Sequence, residues 1–63
     1  MALDERKAQI LAAVVEEHVK TGLPVGSRAV ARRYRLGISP ATIRNEMGDL
    51  EEMGYLAKTH ASS

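Results

Sequence analysis

Four residues at the start of one predicted helix have side chains suited to contact the edges of nucleic-acid bases. They are Ala41, Thr42, Arg44 and Asn45. Arginine and asparagine pair bidentately with guanine and adenine edges in a major groove. The small residues Ala41 and Gly48 would let the helix backbone come close to a surface. The alternative is a solvated helix whose arginine and asparagine only face water, and this stretch alone favours neither interpretation.

The helix that must position these residues is marked at both ends. Ser39 can cap its N-terminus, and Pro40 suits the first helical position because the N–H that proline lacks has no helical partner there. Gly54 is placed where a left-handed cap would end the helix. A face for burial is formed by apolar residues spaced four and three apart, namely Ile43, Met47 and Leu50.

Acidic residues occupy the second half of the same helix: Glu46, Asp49, Glu51 and Glu52. A helix lying full length in a DNA groove would press these carboxylates against phosphates. We therefore expect any DNA contact to use the N-terminal half, where the helix dipole also favours phosphate oxygens.

Arginines mark a second, shorter helix that is predicted from about Arg28 to Tyr34, with Ser27 as its cap. Arg28, Arg32 and Arg35 share one face, opposite an apolar face of Val30, Ala31 and Tyr34. A solvated basic stripe is common on small domains, but its place just before the third helix favours a surface that grips phosphates. A tight turn at Gly37 joins the two helices, which fits a helix-turn-helix.

A first helix is predicted from about Glu5 to Lys20, with Asp4 as its cap and Gly22 just past its end. His18 falls within its apolar stripe and is predicted to be a half-buried core residue rather than a metal ligand or proton switch. The stripe comprises Leu11, Val14, Val15 and Val19, flanked by Ala8 and Ile10. After Gly54, residues 55–57 are predicted to form a short strand, the first edge of a β-hairpin.

The layout of charge is more informative than its total of +1. The stretch from Lys20 to Asn45 contains six basic and no acidic residues, whereas residues 46–52 contain four acidic and no basic residues. A block of one sign in a nearly neutral domain indicates a surface that faces a polyanion.

Length and composition exclude several classes of protein. The 63 residues suffice for one small domain with a thin core. The chain has no cysteine, no apolar run of membrane-spanning length and no signal-peptide pattern, so we expect a soluble cytoplasmic protein without a metal site or a cofactor. No catalytic set of nucleophile, base and orienting group is present, which argues against an enzyme. The carboxylate pairs at 16–17 and 51–52 are predicted to be solvated helix surface.

Two runs of sequence carry a family resemblance, PVGSRAVARRY and SPATIRNEMGDLEEMGYLAKTHASS. Together with the opening LDERKAQIL and the loop TGLPVGS they cover nearly the whole chain. The chain resembles the N-terminal DNA-binding domain of the HrcA family of bacterial heat-inducible transcriptional repressors. The specific part is Ser-Pro-Ala-Thr-Ile-Arg-Asn followed by Leu-Glu-x-x-Gly-Tyr, whereas Thr-Ile-Arg, then Leu, then Gly-Tyr is shared more loosely with other winged-helix repressors.

The resemblance implies a mainly α winged-helix fold of three helices with a small β-hairpin wing. It also implies repression of heat-shock chaperone operons by a homodimer bound to an inverted-repeat operator in double-stranded DNA, with chaperonin as a modulator of the full-length protein. Ser63 precedes the Gly-Arg-containing wing tip that such a fold would need next. We therefore expect residues 1–63 to be the N-terminal winged-helix domain of a longer repressor.

On this interpretation the DNA contacts fall into two groups. The base-reading residues are Ala41, Thr42, Arg44 and Asn45. The phosphate-binding residues are Ser27, Arg28, Arg32, Arg35 and Ser39, with Lys58 on the side of the wing. The alternatives are a winged-helix module that docks a protein through its third helix, and another winged-helix transcription regulator.

Overall fold

Three helices make up most of the computed structural model, which describes residues 3–57. They are α1, Glu5–Thr21; α2, Ser27–Arg33; and α3, Pro40–Glu52. The described range contains no strand, and none of its helices is both long and apolar enough to cross a membrane. The mainly α, three-helix prediction is therefore confirmed, with α2 and α3 forming the two arms of the predicted helix-turn-helix.

The caps predicted for α1 are confirmed at both ends. The Asp4 carboxylate accepts a hydrogen bond from the backbone N–H of Lys7 at 2.7 Å. This bond lowers the pKa of the Asp4 carboxyl below its ordinary value of 3.8 because it favours the charged form. At the other end Gly22 adopts the left-handed conformation, with φ 70°, and its N–H donates to the carbonyl of His18 at 2.7 Å.

The start of α2 differs by one residue from the prediction. Gly26, in an extended conformation, is the N-cap, and no side chain of residues 3–57 caps the helix. The Gly26 carbonyl already accepts a hydrogen bond from the N–H of Val30 at 3.2 Å, so Ser27 is the first helical residue and the prediction that it caps α2 was wrong. Glycine is an acceptable N-cap because it adopts the required backbone conformation without a side chain.

The N-terminus of α3 forms as predicted. The hydroxyl oxygen of Ser39 accepts from the backbone N–H of Thr42 at 3.2 Å, and Pro40 follows as the first helical residue. At the other end Met53 is the C-cap and Gly54 has φ 88°, which confirms the left-handed termination.

The strand predicted at residues 55–57 is absent. The N–H groups of Tyr55 and Leu56 both donate to the carbonyl of Leu50, at 2.9 and 3.3 Å. The chain thus curls back over the end of α3 to satisfy a helix-terminal carbonyl, which holds it out of the extended conformation of a strand. The remainder of the predicted hairpin, including Lys58, lies outside the described residues.

The core draws apolar side chains from all three helices. Ile10, Val30, Ile43 and Leu50 are completely buried, and Ala13 and Val14 complete the cluster. Met47 packs partly buried against it. The apolar face predicted for α3 is therefore confirmed, and its burial fixes α3 against both other helices.

The buried face of α1 is rotated from the predicted stripe. Its buried residues are Ile10, Ala13, Val14 and Glu17, whereas Val15 and Val19 are 49% and 76% exposed. His18 is exposed as well, with its Nδ1 2.9 Å from the carbonyl oxygen of Leu23, so the prediction of a half-buried core histidine was wrong. Because the charged Glu17 belongs to the buried face, a prediction based on hydrophobicity alone chose a face that is rotated toward Val15 and Val19.

Glu17 is buried, contrary to the prediction of solvated surface, and it ties α1 to the end of α2. The Tyr34 hydroxyl donates to its Oε1 at 3.3 Å, and the Arg33 Nε lies 3.4 Å from its Oε2. Desolvation, helped by the nearby charge of Glu16, raises the pKa of the Tyr34 phenol. These partners explain how a glutamate that is only 4% exposed is tolerated at this position.

Candidate nucleic-acid interface

The basic residues of the described chain divide into two groups of four. Arg28, Arg32, Arg35 and Arg44 are exposed and form no ion pair with any residue of the range 3–57. The other group is Arg6, Lys7, Lys20 and Arg33, each of which lies within 4.0 Å of a carboxylate oxygen. The guanidinium groups without a carboxylate partner are those for which the sequence predicted DNA contacts.

The four predicted base-reading residues lie on the first two turns of α3. Ala41, Arg44 and Asn45 are exposed, and Thr42 is half-buried. A Cβ atom built at Gly48 would have no atom within 4 Å, so the same helix has open space one turn further on. This geometry leaves the polar ends of Arg44 and Asn45 accessible to a groove.

The two serines predicted to bind phosphate differ in their surroundings. Ser27 is half-buried in the first turn of α2. Ser39 is exposed, but its hydroxyl donates to the hydroxyl oxygen of Thr42 at 3.1 Å while accepting from the Thr42 N–H. To donate a hydrogen bond to a phosphate, the Ser39 hydroxyl would have to rotate and give up its hydrogen bond to Thr42.

The arginines predicted to bind phosphate come from two segments. Arg28 and Arg32 are one turn apart on α2, and Arg35 lies just beyond its C-cap, Tyr34. Because residues four apart in a helix share a face, Arg28 and Arg32 form one basic stripe. Lys58, the last predicted phosphate-binding residue, lies outside the described part of the chain.

Two acidic residues of α3 are held by the first turn of α1, a contact that the sequence analysis missed. The Lys7 ammonium lies 2.7 Å from Oε1 of Glu46 and 3.6 Å from Oδ2 of Asp49. The guanidinium of Arg6 lies 3.6 Å from the other Glu46 oxygen. The pairs join residues about forty positions apart, so no local pattern of spacing could have indicated them.

The described residues contain no group of three or more histidine, aspartate or glutamate side chains arranged to hold a metal ion. The exposed arginine and asparagine side chains of α2 and α3 suit a negatively charged partner that forms hydrogen bonds.

Curated relatives match the chain from end to end. The "Heat-inducible transcription repressor HrcA" of Moorella thermoacetica is 64% identical over 63 residues, and that of Desulforudis audaxviator is 65% identical over 63 residues. The HrcA repressor of Clostridium botulinum (strain Eklund 17B) is 57% identical over the same length. The whole of the chain is covered in each case, and it spans 18% of the length of each relative.

No family model matches the chain, and no solved structure matches it. The curated relatives are sufficient to assign the family, because they align with all 63 residues of the chain at 57–65% identity. The chain therefore belongs to the HrcA family of heat-inducible transcription repressors, of which it matches the N-terminal 18%.

Proposed function

We propose that this chain is a domain of a heat-inducible transcription repressor and that it binds double-stranded DNA sequence-specifically. The observation that carries the proposal is the division of the basic residues. Four exposed arginines at the predicted contact positions have no carboxylate partner among residues 3–57, whereas every other described basic residue has one. An arginine without an internal partner can neutralise a phosphate or pair with a base without breaking an ion pair of the fold.

In this proposal the first two turns of α3 enter the major groove. Arg44 and Asn45 pair with base edges, since their fork-shaped ends match guanine and adenine respectively. Ala41 and Thr42 add contacts to neighbouring bases through a methyl group and a hydroxyl. Entry by this end keeps the half-buried Glu51 and the exposed Glu52 away from the DNA backbone.

The phosphate contacts fix the register of α3 on the duplex. Arg28, Arg32 and Arg35 carry them, with the hydroxyls of Ser27 and Ser39 as further donors and Lys58 on the side of the proposed wing. Because these contacts go to the backbone, they contribute affinity for DNA of any sequence.

The family resemblance supports the wider proposal for the complete repressor. Residues 1–63 would form its N-terminal winged-helix domain, and a homodimer would bind an inverted-repeat operator in the bacterial cytoplasm. Binding would repress heat-shock chaperone operons, and chaperonin would modulate the full-length protein. The names of the relatives, heat-inducible transcription repressors, agree with this role.

The experiment that tests DNA binding starts by selecting duplexes from a randomised library with the purified chain. The affinity of the chain for the selected duplex and for a scrambled duplex of the same composition is then measured over a series of salt concentrations. We expect the selected duplex to bind more tightly at every salt concentration and both affinities to fall as salt rises. Failure to retain any duplex at low salt would refute the proposal and favour a protein-interaction module.

A further inference from the structure

The side chain of Lys7 lies among three carboxylates at the junction of α1 and α3. Its ammonium is 2.7 Å from Glu46 Oε1, 3.6 Å from Asp49 Oδ2 and 3.6 Å from Asp4 Oδ2. The Lys7 side chain is only 19% exposed and that of Glu46 only 13%. The Lys7–Glu46 pair is therefore largely covered, whereas the side chains of Asp4 and Asp49 at its edge are 62% and 58% exposed.

Glu46 depends on this cluster for its neutralisation. Its Oε1 atom is buried and has no hydrogen bond of regular geometry among the described residues, although the ammonium lies within 2.7 Å. Its other oxygen has the Arg6 guanidinium at 3.6 Å, from a side chain that is 55% exposed. The Glu46 carboxylate in turn raises the pKa of Lys7, because it favours the charged ammonium.

The two acidic residues of α3 directly follow the base-reading residues along the helix. Glu46 lies four residues after Thr42, and Asp49 lies four residues after Asn45. Residues four apart are neighbours on a helix surface. Without a counter-charge, both carboxylates would therefore add negative charge next to the groove contacts, near a duplex that carries about one negative charge per 1.7 Å.

We propose that Lys7 is a positioning residue for DNA recognition, acting from α1 to neutralise Glu46 and Asp49 so that the first turns of α3 can approach the duplex. The inference rests on the proposed function, because it assigns a role to Lys7 only if α3 binds DNA. Lys7 itself touches no base and no phosphate in this mechanism. Its contribution is to cancel repulsion that the recognition helix would otherwise carry into the groove.

The test is a charge-removal cycle on the selected duplex, using wild type, Lys7→Met, Glu46→Gln and the double variant. Affinities are measured at about 50 and about 200 mM salt, at a temperature where circular dichroism shows each variant to be folded. We expect Lys7→Met to weaken binding roughly three- to tenfold at the lower salt and less at the higher salt, because screening reduces repulsion. The double variant should return to within about twofold of wild type, since it removes the carboxylate that Lys7 neutralises.

A matched cycle is available at the other end of α1. Lys20 pairs with Glu16 at 3.5 Å, and both side chains are more than half exposed. Lys20→Met makes the same change in net charge as Lys7→Met, and Lys20→Met with Glu16→Gln matches the double variant. We expect neither control to reproduce the loss and recovery seen at Lys7.

The remaining outcomes of the variant measurements can be told apart. If the double variant binds as weakly as Lys7→Met, Lys7 contacts phosphate directly and the inference is overturned. Unchanged binding by Lys7→Met overturns it as well. If Lys7→Met does not fold, Glu46→Gln decides: binding at least as tight as wild type supports the inference, and weaker binding refutes it. Should wild type bind no duplex at all, the proposed function fails, and that result is recognisable without any variant.

Discussion

Two adjacent arginines of α2 should affect different properties when each is replaced by alanine, one DNA binding and the other stability. Arg32 is exposed and has no carboxylate partner among the described residues, whereas the Nε of Arg33 lies 3.4 Å from the buried carboxylate of Glu17. Arg32→Ala should therefore weaken DNA binding and leave the fold unchanged. Arg33→Ala should destabilise the fold and leave the salt dependence of DNA binding unchanged.

The magnitudes follow from the two environments. One phosphate contact contributes about 0.9 to the slope of log affinity against log salt concentration. Arg32→Ala should lower the slope by that amount, so its disadvantage against wild type shrinks roughly three- to fourfold between about 50 and about 200 mM salt. Arg33→Ala leaves one oxygen of a buried carboxylate without its partner, at a cost of about 1–3 kcal/mol in the free energy of unfolding.

The assay compares the two variants on the selected and the scrambled duplex by fluorescence anisotropy, with urea denaturation as the measure of stability. Since Arg32 is proposed to contact phosphate, its loss should affect both duplexes equally. A wild-type salt slope for Arg32→Ala, or a slope for Arg33→Ala as low as that of Arg32→Ala, would contradict the assignment of Arg32 to phosphate and of Arg33 to Glu17.

Three further predictions concern base reading, the core and the response to acid. Arg44→Ala should cost about 1–3 kcal/mol of binding free energy and relax the base preference at one position of the selected duplex, as a repeated selection would measure. Leu50→Ala should lower the free energy of unfolding by about 2–5 kcal/mol in urea denaturation, because Leu50 is completely buried at the centre of the core. Asp4 has a lowered pKa in the folded state, so the stability from its charge is present above the ordinary pKa of 3.8 and lost as the pH falls through the folded value. The gap in stability between wild type and Asp4→Asn, which keeps a capping oxygen, should therefore close on acidification; a gap independent of pH would contradict this.

Local signals in the sequence were sufficient for most of the helix boundaries. The caps at Asp4 and Ser39 and the terminating glycines Gly22 and Gly54 are confirmed, because each depends on residues within one turn of itself. The core face of α3 could also be predicted from the sequence, since its apolar spacing is not interrupted by a polar residue.

Three of the features that the sequence did not indicate depend on tertiary contacts. Glu17 is buried because its partners come from another helix: Arg33 is the last residue of α2, and Tyr34 follows it. Once Glu17 takes that position, His18 turns outward. The ion cluster at Lys7 likewise depends on how α1 packs against α3, which no spacing within either helix specifies.

The segment after α3 illustrates competition between two local preferences. Tyr55 and Leu56 suit a strand by residue type. Their N–H groups instead satisfy the carbonyl of Leu50 at the helix end, which keeps residues 55–57 out of a strand.

We expect DNA to contact the first turns of α3 together with Arg28 and Arg32 of α2, which have no carboxylate partner among residues 3–57. The most direct measurement is an NMR titration of the isotopically labelled chain with the selected duplex, following backbone amides and arginine Nε–Hε groups. We expect the largest shifts at residues 41–48 and at the side chains of Arg28, Arg32 and Arg44, with little change along the exposed Val15 and Val19 side of α1. Shifts concentrated on that side of α1, with Arg44 and Asn45 unaffected, would contradict the account.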